Sequence, residues 1–181
     1  VDAKGRVTFA DSGALGGGGG GGAALATKYE VVTPGDNFID VKLDADNGYA
    51  YRIMLKGEPD ANTGIGLRVS SDNGVTFFSG SSDYKSYDLG ASSQISVSAR
   101  NTIKDGRNTL ATFTLAGMNV VATEKIAVVG EVFTINSSIR NVQRHIVGHN
   151  NALAADNFNA FRIYVGSGTM DDFAVYVQRI F

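Results

Sequence analysis

The sequence predicts an all-β fold: an antiparallel two-sheet sandwich of jelly-roll-like type, carrying an extended glycine-rich N-terminal arm. Three observations carry that prediction. Apolar residues recur with a period close to two along most of the chain after Lys28. Asn-Gly and Asp-Gly pairs fall between the alternating runs, where hairpins need residues that tolerate positive φ. No stretch sustains a 3.6-residue apolar stripe, and the best helical candidate is a single alanine-rich turn near Asn151 to Asn157.

In chain order, residues 1–26 form the predicted arm and residues 27–181 the sandwich. The arm holds a short β-like stretch, Val7 to Phe9, and then seven consecutive glycines: Gly16, Gly17, Gly18, Gly19, Gly20, Gly21 and Gly22. Taken alone such a run is a flexible linker; having no Cβ it can also lie close against another backbone, so its expected use is in an assembly of chains, the alternative being an arm laid along its own domain. The first convincing strand starts at Lys28. Ile39, Val41 and Leu43 alternate with Asp40 and Lys42; Tyr49, Tyr51, Ile53 and Leu55 alternate with Ala50, Arg52, Met54 and Lys56. The same pattern recurs at Ile65, Leu67 and Val69, at Ile95, Val97 and Ala99, at Phe161, Ile163 and Val165, and at Phe173, Val175 and Val177. Further strands are expected at Thr109 to Leu115, Lys125 to Val129, Glu131 to Ile135 and Gln143 to His149. Hairpin turns are expected at Asn47-Gly48, Asn73-Gly74 and Asp105-Gly106. The residues expected to face the core are Ile39, Val41, Ile53, Leu67, Val69, Ile163, Val165, Val175 and Val177.

A length of 181 residues with 43% hydrophobic content suits one substantial domain. Sixteen Lys and Arg against eighteen Asp and Glu leave a formal charge of −2, which supplies no positive field for nucleic acid. No apolar run approaches the ~20 residues that a membrane helix needs, and the first residues lack the basic and apolar regions of a signal peptide; the domain is expected to be soluble, with no membrane insertion. The absence of cysteine excludes disulfides, thiolate nucleophiles and Cys-ligated zinc.

Chemistry-bearing patterns are sparse. The two histidines, His145 and His149, would share one side of a strand, but no carboxylate in their segment completes a ligand set, so they read as surface or interface residues. Asp44, Asp46, Asn47 and Gly48 resemble the start of a calcium loop without its ligand spacing or closing glutamate, and read better as a solvated turn. No Gly-x-Ser-x-Gly elbow is present, and the acidic residues single out no glycosidase pair. The expectation is a protein without catalytic residues, metal or cofactor. Tyrosines are the more useful clue. Tyr84 and Tyr87 lie near Phe77 and Phe78 in a turn-rich stretch, and Tyr164 and Tyr176 occupy the polar phase of two terminal strands, so these four rings are the surface-binding candidates. The competing reading packs them across strands within one sheet.

Two segments carry a family resemblance: Ser70-Ser71-Asp72-Asn73-Gly74-Val75-Thr76-Phe77 followed by Tyr84, and Phe161-Arg162-Ile163-Tyr164-Val165-Gly166-Ser167-Gly168-Thr169 with Val175-Tyr176. Together they resemble β-sandwich domains of tailed-bacteriophage virion proteins, as in tail fibres, appendages, head fibres and decoration proteins. In that pattern a Ser-x-Asp-x-Gly strand end leads into a Thr-Phe strand and a tyrosine, and a Ser-Gly turn precedes a closing aromatic strand. The resemblance covers roughly residues 28 to 181. It implies a role in the virion, an extracellular particle, and sometimes attachment to a host surface; with no catalytic site visible in the sequence, the expectation is a non-enzymatic structural protein. The expected partners are other virion proteins and copies of itself in a homo-oligomer, with a host-surface glycan where attachment is part of the role. The alternative is a carbohydrate-binding module of an extracellular protein, with a polysaccharide-cleaving enzyme third.

Overall fold

The computed structural model describes residues 27–31, 35–43, 49–86, 90–98, 108–118, 126–135, 141–150 and 157–180, of which 27–31, 135 and 141–146 are described by backbone alone. The glycine run, Tyr87, and the turns at Asn47-Gly48 and Asp105-Gly106 lie outside these residues, as does the proposed helical turn except for Asn157, which is not helical.

The described residues form twelve strands: β1 (Thr27–Val31), β2 (Phe38–Lys42), β3 (Ala50–Gly57), β4 (Ile65–Ser70), β5 (Tyr84–Ser86), β6 (Gly90–Ser92), β7 (Ile95–Ser96), β8 (Thr109–Ala116), β9 (Ala127–Ile135), β10 (Asn141–Asn150), β11 (Ala160–Val165) and β12 (Ala174–Arg179). They build two antiparallel sheets. One has eight strands in the order β1-β12-β3-β8-β9-β10-β5-β6, and the other has four in the order β2-β11-β4-β7. The chain passes repeatedly between sheets, so neighbours in sequence often lie in opposite layers. That crossing is the jelly-roll-like feature expected from many short strands separated by turn signals with almost no helix. The runs expected at Lys125 to Val129 and Glu131 to Ile135 join into one continuous strand, β9, because Gly130 continues the ladder opposite Phe113 and Ile146.

Alternation determines what each sheet buries. From the large sheet Tyr51, Ile53, Leu55, Phe113, Leu115, Val128, Val132, Val175 and Val177 point inward, and from the small sheet Ile39, Val41, Ile65, Leu67, Val69, Phe161, Ile163 and Val165 meet them. All nine residues expected to face the core are in it. Burying each such side chain contributes about 1.5–3 kcal/mol, so the shared apolar layer is what holds the sheets together. Phe158 closes one end and meets Phe78 edge-to-face, with centroids 5.8 Å apart.

The Asn73-Gly74 pair is a tight turn but not a hairpin. Both residues are left-handed, with φ of 60° and 79°, as that dipeptide permits. Asp72 then diverts the chain. Its Oδ1 accepts the backbone N–H groups of Val75 at 3.1 Å and Thr76 at 2.9 Å, along with the Ser70 hydroxyl at 2.6 Å. Those N–H groups are therefore unavailable to a returning strand, and the Thr76-Phe77 segment is loop rather than the strand the resemblance implies. The neighbours of β4 are instead β11 and β7.

Candidate functional site

The outward phase of the small sheet assembles a compact group of aromatic and guanidinium side chains. The register places Phe38, Tyr164 and Gly66 in one row across β2, β11 and β4, and Asp40, Arg162 and Arg68 in the next. The loop after β4 folds back toward this face: Asn73 N–H is bound by Asn159 Oδ1 at 2.9 Å, and Phe77 is brought over Arg162.

Arg162 is the fixed centre. Its Nε and Nη2 donate to the two carboxylate oxygens of Asp40 at 2.6 and 2.7 Å, and its Cζ lies 3.9 Å from the Phe38 centroid and 4.2 Å from that of Phe77. A forked ion pair on a planar cation flanked by two rings leaves the guanidinium little rotational freedom. The pair is only partly withdrawn from water, with the side chains 27% and 24% exposed. Since Asp40 offers both oxygens to Arg162, it acts here as a positioning group. Arg68 is arranged differently: it lies over the Tyr164 ring at 4.6 Å, and its Nε donates to Ser93 O at 3.1 Å. No carboxylate among the described residues pairs with it. Burial pushes the Tyr164 hydroxyl pKa up, and Arg68 offsets part of that rise. The Tyr164 ring and Gln94 occupy the space that a side chain on Gly66 would fill, since a Cβ there would lie 2.7 Å from Gln94 Oε1 and 2.9 Å from Tyr164 Cε1. Phe38 keeps 40% of its surface exposed beside this cluster.

The outer face of the large sheet holds an open groove of about 520 Å³, lined by Arg52, Met54, Thr112, Val129, Glu131 and Phe133 among others. Val129 and Phe133 in its lining are exposed.

The four tyrosines proposed from sequence do not form one surface. Tyr84 is a correction: it is fully buried, its hydroxyl donating to Phe78 O at 3.1 Å and accepting Val69 N–H at 3.0 Å. A phenol can tie two backbone groups while its ring packs in the core, which is why a turn-rich context misled the surface assignment. Tyr164 is half-buried in the small-sheet cluster; Tyr176 is half-buried on the large sheet, opposite Met54 and Tyr29 in register. Tyr87 lies outside the described residues. Sequence reasoning missed Phe38, Phe77, Arg68 and Arg162 as partners of Tyr164. The available signal was phase, because Arg68, Arg162 and Tyr164 all fall between the inward residues of β4 and β11. His149 is half-buried, with Nδ1 2.7 Å from Asn150 O. Among the described residues no group of three or more His, Cys, Asp or Glu could hold a metal ion.

No family model and no curated protein matches the chain. Among solved structures, a tetrameric galectin from the ball sponge Cinachyrella sp. aligns at 9% identity and a TM-score of 0.29, covering 76% of this chain and 93% of that one. A marine alginate lyase from Aplysia kurodai aligns at 10% identity and a TM-score of 0.32, covering 84% of this chain and 86% of that one. With TM-scores this low, the fold rests on its own strand pairing.

Proposed function

We propose that the chain is a non-enzymatic structural component of a bacteriophage particle, of decoration or tail/head fibre type, that works by surface contact and takes part in host attachment. One observation supports this reading above the rest: the segment that carries the virion resemblance, Ser70 to Tyr84, is a braced loop that delivers an aromatic side chain to an outer face. Asp72 holds one half of it and the Tyr84 hydroxyl the other, while Phe77 covers Arg162. The motif thus spends its polar groups on shape, as a contact module requires, and not on activating a nucleophile. Its partners in this reading are other virion proteins and further copies of itself.

Quantitative mass spectrometry of purified particles tests the proposal. The chain is expected in a fixed stoichiometry to the major capsid or tail proteins, and its absence from intact particles would overturn the reading. A carbohydrate-binding module of an extracellular protein is the second reading, favoured by the stacked aromatic and guanidinium face. It predicts glycan affinity in the isolated domain and no chain in particles. A polysaccharide-cleaving enzyme would instead shorten a polymer at catalytic concentration.

A further inference from the structure

From the geometry of the small sheet's outer face we infer a binding site for an oligosaccharide that bears carboxylates. The inference deepens the attachment part of the proposed function and rests on that face being a contact surface; it does not depend on the chain being in a particle. Two guanidinium groups stand side by side in register on β11 and β4, and among the described residues only Arg162 has a carboxylate partner. Arg162 is closed off by Asp40 and two rings. Arg68 is held in place by the Tyr164 ring and Ser93 O, and among the described residues no carboxylate occupies its terminal nitrogens. A guanidinium whose position is already fixed loses little freedom on accepting a carboxylate in forked geometry.

The neutral part of the site suits sugar. Phe38 presents an exposed ring, the kind of rigid apolar face on which the C–H side of a pyranose packs, and Gln94 lies across Gly66 as a polar group. Phe38 and Arg68 sit on strands two apart, about 10 Å across the sheet, so a ligand reaching both needs more than one ring.

The test is calorimetric titration of the full chain with three probes: oligogalacturonate, sialyllactose and neutral maltohexaose. At least one of the two carboxylated probes is expected to bind, more weakly as salt rises, with maltohexaose weaker by about tenfold or more, the worth of a charge-assisted hydrogen bond. Which carboxylated probe binds distinguishes a uronate from a sialate source. Arg68→Gln is expected to erase the preference for the carboxylated probe. Phe38→Glu is expected to abolish binding of that probe while leaving the β-sheet circular dichroism spectrum intact. Equal binding of neutral and acidic probes, no binding of either acidic probe, or unchanged affinity in Phe38→Glu would overturn the assignment. So would displacement of the sugar by polyglutamate at equal carboxylate concentration, since that would mark a generic acidic-protein patch. Presence or absence in purified particles is read separately and leaves these outcomes unaffected.

Discussion

Tyr84 shows how much one side chain can carry in this fold. Its ring is in the core and its hydroxyl spans the two ends of the Ser70 to Phe78 loop, accepting from Val69 and donating to Phe78. Burial accordingly pushes its pKa up. Tyr84→Phe keeps the ring and removes the hydroxyl, so the buried Val69 N–H loses its partner. The expected cost is about 2 kcal/mol, read as a fall of about 5 °C in Tm. Asp72 on the same loop has its pKa drawn well down by the hydroxyls of Ser70 and Thr76 and by backbone N–H groups. The folded state therefore holds that proton less tightly than the unfolded chain. Stability from Asp72 is full above the ordinary carboxylate pKa of about 4 and is lost as pH falls below it. Asp60, drawn down by the backbone N–H and hydroxyl of Thr169, acts in the same direction. Asp72→Asn is expected to flatten the dependence of Tm on pH between about pH 4 and pH 2, a range set by that linkage. An unchanged acid limb would mean that the carboxylate does not brace the loop. The sequence announced the turn here through Asn73-Gly74, but not that Asp72 would capture the N–H groups after it.

Among the strands, period two was a sound guide to which side chains face inward, as Ile53, Leu67, Val69, Ile163 and Val175 show. It carried no information on which sheet a strand joins. Asp40 and Arg162 are 122 residues apart and meet only because β11 inserts between β2 and β4. The candidate site was legible as polar-phase residues on separate strands, and its assembly was not, because the pairing is non-local. Gly130 illustrates a similar limit. Within β9 it looks like a break in the alternation, yet it sits where the backbone of β8 comes closest: a Cβ there would lie 2.2 Å from Thr112 O and 2.4 Å from Phe113 Cα. Backbone atoms cannot rotate away as a side chain can. Gly130→Ala is thus expected to force β8 and β9 apart at the centre of the large sheet, costing about 2 kcal/mol or more. Chemical denaturation would show this as a lower midpoint. A midpoint equal to that of the parent would mean that the two strands have slack at this point.

At the scale of the whole molecule, the arm and the sandwich are expected to separate cleanly. The edge strand β1 begins at Thr27 and pairs residue by residue with β12 through Val31, so a cut after residue 26 leaves that ladder whole. The described core starts later still, at Ile39. A chain lacking residues 1–26 is therefore expected to keep its β-sheet circular dichroism spectrum and a cooperative thermal transition, with any fall in Tm limited to what the assembly contacts contribute. A chain lacking residues 1–31 also loses β1, which bares the edge of β12, and is expected to melt lower and to aggregate. Assembly is the property that the first cut should remove. Ordering a run of seven glycines costs on the order of 10 kcal/mol in backbone entropy, and without side chains only hydrogen bonds from neighbouring backbone can offset it. Closely packed copies of the chain provide such backbone repeatedly, as strand addition does. Light scattering on the two truncations and the full chain reads mass directly: the full chain is expected as an oligomer and the chain lacking 1–26 as a folded monomer. If that truncation keeps the oligomer, the arm is not the interface, and the contact belongs to a folded surface such as the large sheet's outer face, where Met54, Leu110, Val129, Phe133 and Val147 are exposed.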